Sequence, residues 1–158
     1  MAINERLKEL GIMIPEVAPR GVGNYAPWVN SQNIIYTSGQ LPWKDGKYGE
    51  LAYKGRVGSD LDVKQAYDCT RVCTLNAIAQ LKQACGGDLD KVRKIIRIDC
   101  HIQAADGFKE HSDVLNGASD LVNEIFEDRG IHTRSALGIY QTPLDAPVLV
   151  YVIAEIDS

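Results

Sequence analysis

The chain has 158 residues, of which 45% are hydrophobic and 24% are charged, with a formal net charge of −4 and a pI near 5.3. This composition is typical of one soluble domain over residues 1–158, and the charged N-terminus, which lacks the apolar run of a signal peptide, favours a cytoplasmic location. The acidic balance argues against a nucleic-acid binder, and no apolar run is long enough to span a membrane.

The chain opens with a short amphipathic segment, which predicts a helix within residues 1–14. Asn4 can cap its start and Gly11 can end it. Prolines and glycines then interrupt the pattern through residues 15–27, so this stretch is expected to be irregular. Tyr25 is one of its few large side chains, and aromatic residues in long loops often belong to lids or interfaces.

A short apolar strand is predicted at residues 34–38, and turn residues make 43–58 a loop that could include a minor strand. Ser59 is expected to open the first long helix, which the glycine pair at 86–87 ends. The buried face of this helix is predicted from side chains that recur at three- and four-residue steps: Val63, Ala66, Thr70, Cys73, Ala77, Leu81 and Ala84. Because most of these are small, the helix should lie close to the sheet that it covers.

Residues 94–104 alternate in the manner of a half-buried strand. One face carries Ile96, Ile98, Cys100 and Ile102, and the opposite face carries Arg97, Asp99, His101 and Gln103. The first face is expected to meet the helices. The second is polar without being crowded with charge, which leaves open a subunit interface, the wall of a site, or plain exposure to solvent.

A second helix is predicted to begin at Asp106 or Gly107 and to end before Gly130. Its buried face should carry Leu115, Ala118, Val122 and Ile125. Helices separated by strands in this order favour an α+β fold, with a mostly antiparallel sheet and two helices on one face.

The last two β-rich runs, residues 132–140 and 148–156, flank a segment with two prolines. Proline cannot continue a central strand, so the pattern predicts an antiparallel hairpin with a loose connection. Arg134 lies where the first run begins. A guanidinium near apolar surface needs an anion or solvent, so Arg134 is a candidate anion-binding residue, and a strand-end side chain that reaches water is the alternative.

The four cysteines include one pair, Cys69 and Cys73, that is one helical turn apart and could hold a metal. The three histidines show no ligand spacing with them, and reduced, buried thiols are the more common arrangement. The sequence therefore predicts neither a metal nor a cofactor. It also contains no phosphate-binding loop, and no nucleophile elbow surrounds Ser38.

Three motifs together resemble the RidA/YjgF family: Asn24–Pro27, Tyr36–Pro42 and Arg134–Ala136. The spacing from Arg134 to Pro143 and the closing β-run fit the same family. The likeness covers most of the chain after about residue 15, and the run Leu115–Leu121 is typical of a divergent branch.

The resemblance implies a chorismate-mutase-like α+β fold that assembles as a homotrimer, with the sheets lining a barrel and clefts between subunits. It also implies hydrolysis of reactive enamines and imines of small 2-amino acids to 2-keto acids and ammonia. Arg134 would be the catalytic residue that clamps the substrate carboxylate. Ser38 and the backbone N–H of Gly39 would line the same pocket, Tyr25 would cover it, and Asn116 would reach it from the adjacent subunit.

The sequence departs from the family pattern at two positions. Leu149 occupies the place of a glutamate that orients the attacking water in the family's deaminases, and Ala136 replaces a frequent cysteine. Two alternatives to deamination follow. One is a non-catalytic, regulatory protein that binds small carboxylates such as keto acids, and the other, less favoured because of the acidic charge, is an endoribonuclease.

Overall fold

The computed structural model describes residues 2–158. Its helices are α1 (Ile3–Leu10), α2 (Val63–Ala84) and α3 (His111–Phe126), and its strands are β1 (Trp28–Ser31), β2 (Ile34–Thr37), β3 (Val92–Gln103), β4 (Thr133–Ile139) and β5 (Val148–Ile156). The strands form one sheet in the order β1-β2-β5-β3-β4, in which every pair is antiparallel except β3 and β4. With α2 and α3 packed on one face, the predicted α+β fold is confirmed.

The core lies between this sheet and the two long helices. The inner face of the sheet contributes fully buried residues from β3 and β5, and the predicted faces of α2 and α3 supply most of the opposite layer. Ile3 and Leu7 of α1 belong to the same apolar cluster. The N-terminal helix is therefore part of the core and not an appendage.

The start of α1 differs from the prediction, although Gly11 ends the helix in a left-handed conformation as expected. The helix begins at Ile3, so Asn4 lies inside it and makes no cap. Instead, Asp90 Oδ1 accepts the Ile3 N–H at 2.9 Å. A carboxylate distant in the sequence thus satisfies one of the free N–H groups at the start of the helix, where the prediction had placed the side chain of Asn4.

Both long helices begin four or five residues later than predicted. Asp62, not Ser59, caps α2, because its side chain accepts the Gln65 N–H while Gln65 accepts the Asp62 N–H in a capping box. α3 begins at His111, after a turn in which Gly107 has a φ of 77°. In the loop 43–58, the predicted minor strand is reduced to isolated bridges.

The strand β1 was not predicted. It pairs with β2 through a tight turn at Gln32 and Asn33, whose φ angles are both positive, at 52° and 67°. A two-residue turn of this kind matches the twist of a hairpin. Asn30 Oδ1 also accepts the Asn33 N–H at 2.9 Å.

The predicted hairpin of β4 and β5 is wrong. β5 lies between β2 and β3, antiparallel to both, whereas β4 pairs in parallel with the other side of β3. A helical crossover is what places two consecutive strands side by side in parallel, and α3 makes that connection from β3 to β4. The segment between β4 and β5, in which Leu144 and Asp145 have φ angles near 60°, carries the chain past the end of β3.

A β-bulge changes which isoleucine of β3 enters the core. Ile95 is opposite Ala154 and Arg97 is opposite Ile153, so β3 has one residue more than β5 at this point. Ile95 is fully buried, whereas Ile96, which strict alternation placed in the core, is partly exposed.

This bulge gives a matched pair of substitutions. Ile95→Val should lower the free energy of unfolding by about 1 kcal/mol, because it removes a buried methylene, and Ile96→Val should change it by less than about 0.5 kcal/mol. Urea denaturation of the two variants measures the difference. A larger loss in Ile96→Val than in Ile95→Val would mean that the bulge is absent in solution, and equal losses would contradict the difference in burial.

Candidate functional site

Arg134 lies on the edge strand β4 and faces α3. It is paired with Ile98, which is fully buried beneath the helices, and directly paired residues of a sheet share a face. Ala136 and Gly138 follow on the same face and are paired with Cys100 and Ile102. Small side chains therefore flank the guanidinium along the strand.

Neutral oxygen atoms of α3 hold the Arg134 guanidinium. Nη1 donates to Asn116 Oδ1 at 2.7 Å and to Ser119 Oγ at 3.1 Å, and Nη2 donates to the Ser112 carbonyl at 3.4 Å. Within residues 2–158, Arg134 forms no ion pair, and its Nε has no acceptor. The edge formed by Nε and Nη2 is thus available to an anion in the two-pronged geometry that suits a carboxylate.

Asn116 contacts Arg134 within one chain. The expectation that it reaches the arginine from an adjacent subunit is therefore corrected, because α3 crosses directly over the start of β4. The register of this asparagine could not be read from the sequence, since it depends on where α3 begins.

A serine and a histidine lie behind the guanidinium. Ser119, which is 8% exposed, has its Oγ 2.8 Å from His132 Nε2, and His132 Nδ1 is 2.6 Å from the Gly130 carbonyl oxygen. Sequence reasoning missed both residues. The available signal was weak, because His132 lies two residues before Arg134 but Ser119 is brought to it only by the packing of α3.

Tyr25, Ser38 and Gly39 form a second group around a shallow pocket. Ser38 Oγ donates to the Ala26 carbonyl at 2.7 Å, and the Tyr25 hydroxyl accepts the Val22 N–H at 3.0 Å. A Cβ on Gly39 would lie 2.8 Å from the ring of Tyr151, so this close approach requires glycine. These contacts fix the relative positions of the three residues in the pocket wall.

The two groups do not meet within one chain. Ser38 and Gly39 follow β2, and Arg134 is on β4, so β5 and β3 lie between them. At about 4.8 Å per strand, the separation across the sheet is about 14 Å. A single chain thus contains two parts of the predicted site near opposite edges of its sheet. The expectation that Ser38 and Gly39 share one pocket with Arg134 of the same chain does not hold.

Leu149 lies in neither group. It is 6% exposed and packs with a satellite cluster on the open side of the sheet, which comprises Leu41, Trp43, Leu51 and Ala146. The open face also carries Asp99, which accepts from Arg97 Nε at 2.9 Å and from Ser135 Oγ at 2.7 Å. Arg97 is thus already paired with a carboxylate, in contrast to Arg134.

The four cysteines are buried and form no disulfides. Burial raises the pKa of Cys73 and of Cys100 well above the usual thiol range. Both are therefore protonated and unreactive at neutral pH. Among residues 2–158, no group of three or more histidine, cysteine or acidic side chains is arranged to hold a metal ion. Over the same residues, no helix is long and apolar enough to cross a membrane.

Comparison with known proteins gives consistent matches. The sequence model of the family described as "YjgF/chorismate mutase-like, putative endoribonuclease" matches residues 4–156. A curated relative, Protein TCP17 of Trypanosoma cruzi, is 36% identical over 153 residues, which cover 96% of this chain and 92% of TCP17.

Two solved structures are similar over nearly the full chain. One is from Shewanella oneidensis and is described as a putative endoribonuclease; it is 40% identical, with a TM-score of 0.91, and the match covers 99% of this chain and all of that one. The other is Atu1372 from Agrobacterium tumefaciens, described as having unknown function. It is 38% identical, with a TM-score of 0.88, over 99% of this chain and 93% of that one.

Proposed function

Because the chain belongs to the YjgF/chorismate mutase-like family, we propose that it hydrolyses enamine or imine derivatives of small 2-amino acids to 2-keto acids and ammonia, with Arg134 clamping the carboxylate. The observation that carries this proposal is the arrangement at Arg134. A guanidinium fixed by neutral oxygens through Nη1, with its Nε edge open, suits a planar carboxylate and would not be reproduced by lysine.

Hydrolysis of an imine requires few protein groups beyond those that bind the substrate. The carbon of a protonated imine is already electrophilic, so attack by water needs positioning and proton transfer and no protein nucleophile. Tyr25, Ser38 and Gly39 supply a pocket wall, but near the other edge of the sheet. We therefore propose that the complete cleft forms between subunits of a homotrimer, where the edge of one sheet meets the opposite edge of the next.

The assay is ammonia release from imines generated in situ by an amino-acid oxidase, with and without the protein. Acceleration at catalytic protein concentrations supports deamination. Absence of acceleration, together with measurable binding of 2-oxobutanoate, would overturn the catalytic part and leave the second candidate, a non-catalytic carboxylate binder. Leu149 is the observation that favours this candidate, since an apolar side chain cannot orient water.

RNA cleavage is the least favoured function. Its support is that both the family and the S. oneidensis structure are described as putative endoribonucleases. The net charge of −4 opposes it, because phosphate contacts usually supply most of the affinity for RNA. RNA cleavage that is lost in Arg134→Ala would reverse this ranking.

Restoring an acid at position 149 should cost stability. Leu149→Glu buries a carboxyl among Leu41, Trp43 and Leu51, so we expect the free energy of unfolding to fall by about 2 kcal/mol or more at pH 7. Burial raises the folded-state pKa of such a carboxyl above its unfolded value, so the part of the loss that comes from the charge is absent below about pH 4 and grows as the pH rises toward the folded value.

Urea denaturation at pH 5 and pH 7 tests this expectation, with Leu149→Met as the control of similar volume, for which a loss under about 1.5 kcal/mol is expected. If the difference in stability between Leu149→Glu and the wild type does not change with pH, the carboxylate reaches solvent.

A further inference from the structure

With a neutral His132, the Ser119–His132 pair has one self-consistent arrangement of hydrogens. A carbonyl oxygen only accepts, so the 2.6 Å contact with the Gly130 oxygen requires the proton of neutral His132 to be on Nδ1. Nε2 is then an acceptor and takes the Ser119 hydroxyl hydrogen at 2.8 Å. A guanidinium only donates, so the remaining contact of Ser119 Oγ, at 3.1 Å, receives a hydrogen from Arg134 Nη1.

The direction of these bonds makes the serine a fixed acceptor. A freely rotating serine hydroxyl can present either its hydrogen or a lone pair to a neighbour. An acceptor that holds the hydrogen stops this rotation. With its hydrogen held by His132, Ser119 can present only a lone pair to Arg134. Together with Asn116 Oδ1, it occupies both hydrogens of Nη1 and so fixes the plane of the guanidinium.

Ser119 lies where a ligand at the open edge of the guanidinium cannot touch it. Ser119 is only 8% exposed, and it contacts Nη1, which is on the opposite side of the guanidinium from the open Nε edge. A hydroxyl that donates to an imidazole is also the geometry of an activated nucleophile, but the burial of Ser119 keeps its oxygen from a substrate held at the Nε edge.

We propose that Ser119 and His132 are positioning residues that hold Arg134 in the orientation needed to bind a carboxylate. The inference rests on the proposed role of Arg134 and adds a specific chain of causes: Gly130 fixes the His132 tautomer, His132 fixes the Ser119 hydroxyl, and Ser119 fixes the guanidinium. A two-pronged contact depends on the angle between the two planar groups, so a freely rotating guanidinium would bind more weakly.

The first test is the Kd of 2-oxobutanoate, measured by calorimetry. Ser119→Ala and His132→Leu should each weaken binding about 10-fold, because each removes or misdirects one hydrogen bond to a charged group. His132→Gln is the conservative control, since its amide offers both a donor and an acceptor, and it should stay within about 3-fold of the wild type. Equal losses in His132→Leu and His132→Gln would overturn the hydrogen-bond role of the imidazole.

A double-mutant cycle separates positioning from a general structural role. In an Arg134→Lys background, Ser119→Ala should change the Kd less than 2-fold, because the group it positions is gone. The same 10-fold loss in that background would show that Ser119 acts through the fold and not through Arg134.

Nitrogen NMR of the ligand-free protein provides a readout that is independent of the proposed function. In the wild type, the His132 proton should be on Nδ1, and Ser119→Ala should speed rotation of the Arg134 guanidinium. Unchanged rotation would overturn the positioning inference even if 2-oxobutanoate binds. If the wild type binds no keto acid while rotation does change, the carboxylate role of Arg134 fails and the ordering of the guanidinium stands.

Discussion

Replacing Arg134 with alanine is expected to weaken the binding of 2-oxobutanoate at least about 100-fold and to abolish measurable imine hydrolysis. The side chain supplies the open Nε edge, and a charge-assisted two-pronged contact contributes about 3 kcal/mol, which corresponds to about 100-fold in Kd. The fold should survive, because Ser112 and Asn116 are at least partly exposed, so that water can replace the guanidinium there, and the buried Ser119 Oγ keeps its contact with His132 Nε2.

Calorimetry of the wild type and Arg134→Ala measures this loss. Arg93→Ala is the matched control. Arg93 lies on β3, next to the strand of Arg134, but it is exposed and forms a surface ion pair with Asp157. Its removal should therefore leave the Kd within 2-fold of the wild type. Arg134→Lys should fall between the wild type and the alanine variant, since an ammonium keeps the charge without the planar fork. Unchanged binding in Arg134→Ala would place the carboxylate site elsewhere.

Gln103→Glu is expected to give the largest loss of stability, about 3 kcal/mol at pH 7. Gln103 is 1% exposed at the end of β3, and its Nε2 donates to the Gly55 carbonyl at 3.2 Å and to Asp145 Oδ1 at 2.6 Å. Its Oε1 accepts from Gln141 and Thr142. A glutamate would keep the acceptor but lose both donors, and it would place a second carboxylate against Asp145.

The pH dependence identifies the cause of that loss. Two adjacent carboxylates raise the pKa of one of them above its unfolded value, so the folded variant binds more protons and loses stability as the pH rises. Relative to the wild type, Gln103→Glu should therefore regain at least about 1 kcal/mol between pH 7 and pH 5. Gln83→Glu makes the same chemical change on the exposed surface of α2 and should alter stability by less than about 0.5 kcal/mol. A loss of unfolding free energy that does not vary with pH would mean that the two lost hydrogen-bond donors alone cause it.

The sequence by itself determined those features that depend on neighbouring residues. The spacing of small and apolar side chains predicted the buried faces of α2 and α3, and alternation predicted β3 as a strand with one inner and one polar face. The family and its fold were also predicted, because the motif around Ser38 and the motif at Arg134 are specific when taken together. Such patterns are local, so no knowledge of the tertiary structure was needed to read them.

Only the tertiary structure decided what surrounds Arg134 and where the rest of the predicted site lies. Asn116 and Ser119 are 18 and 15 residues from Arg134 in the chain, and they meet it because α3 crosses over β4. The position of β5 between β2 and β3 separates Ser38 from Arg134, and the bulge in β3 places Ile95 in the core. Strand order and helix packing minimise the free energy of the whole chain, so pairs distant in sequence are chosen by the burial and hydrogen bonding of all elements at once.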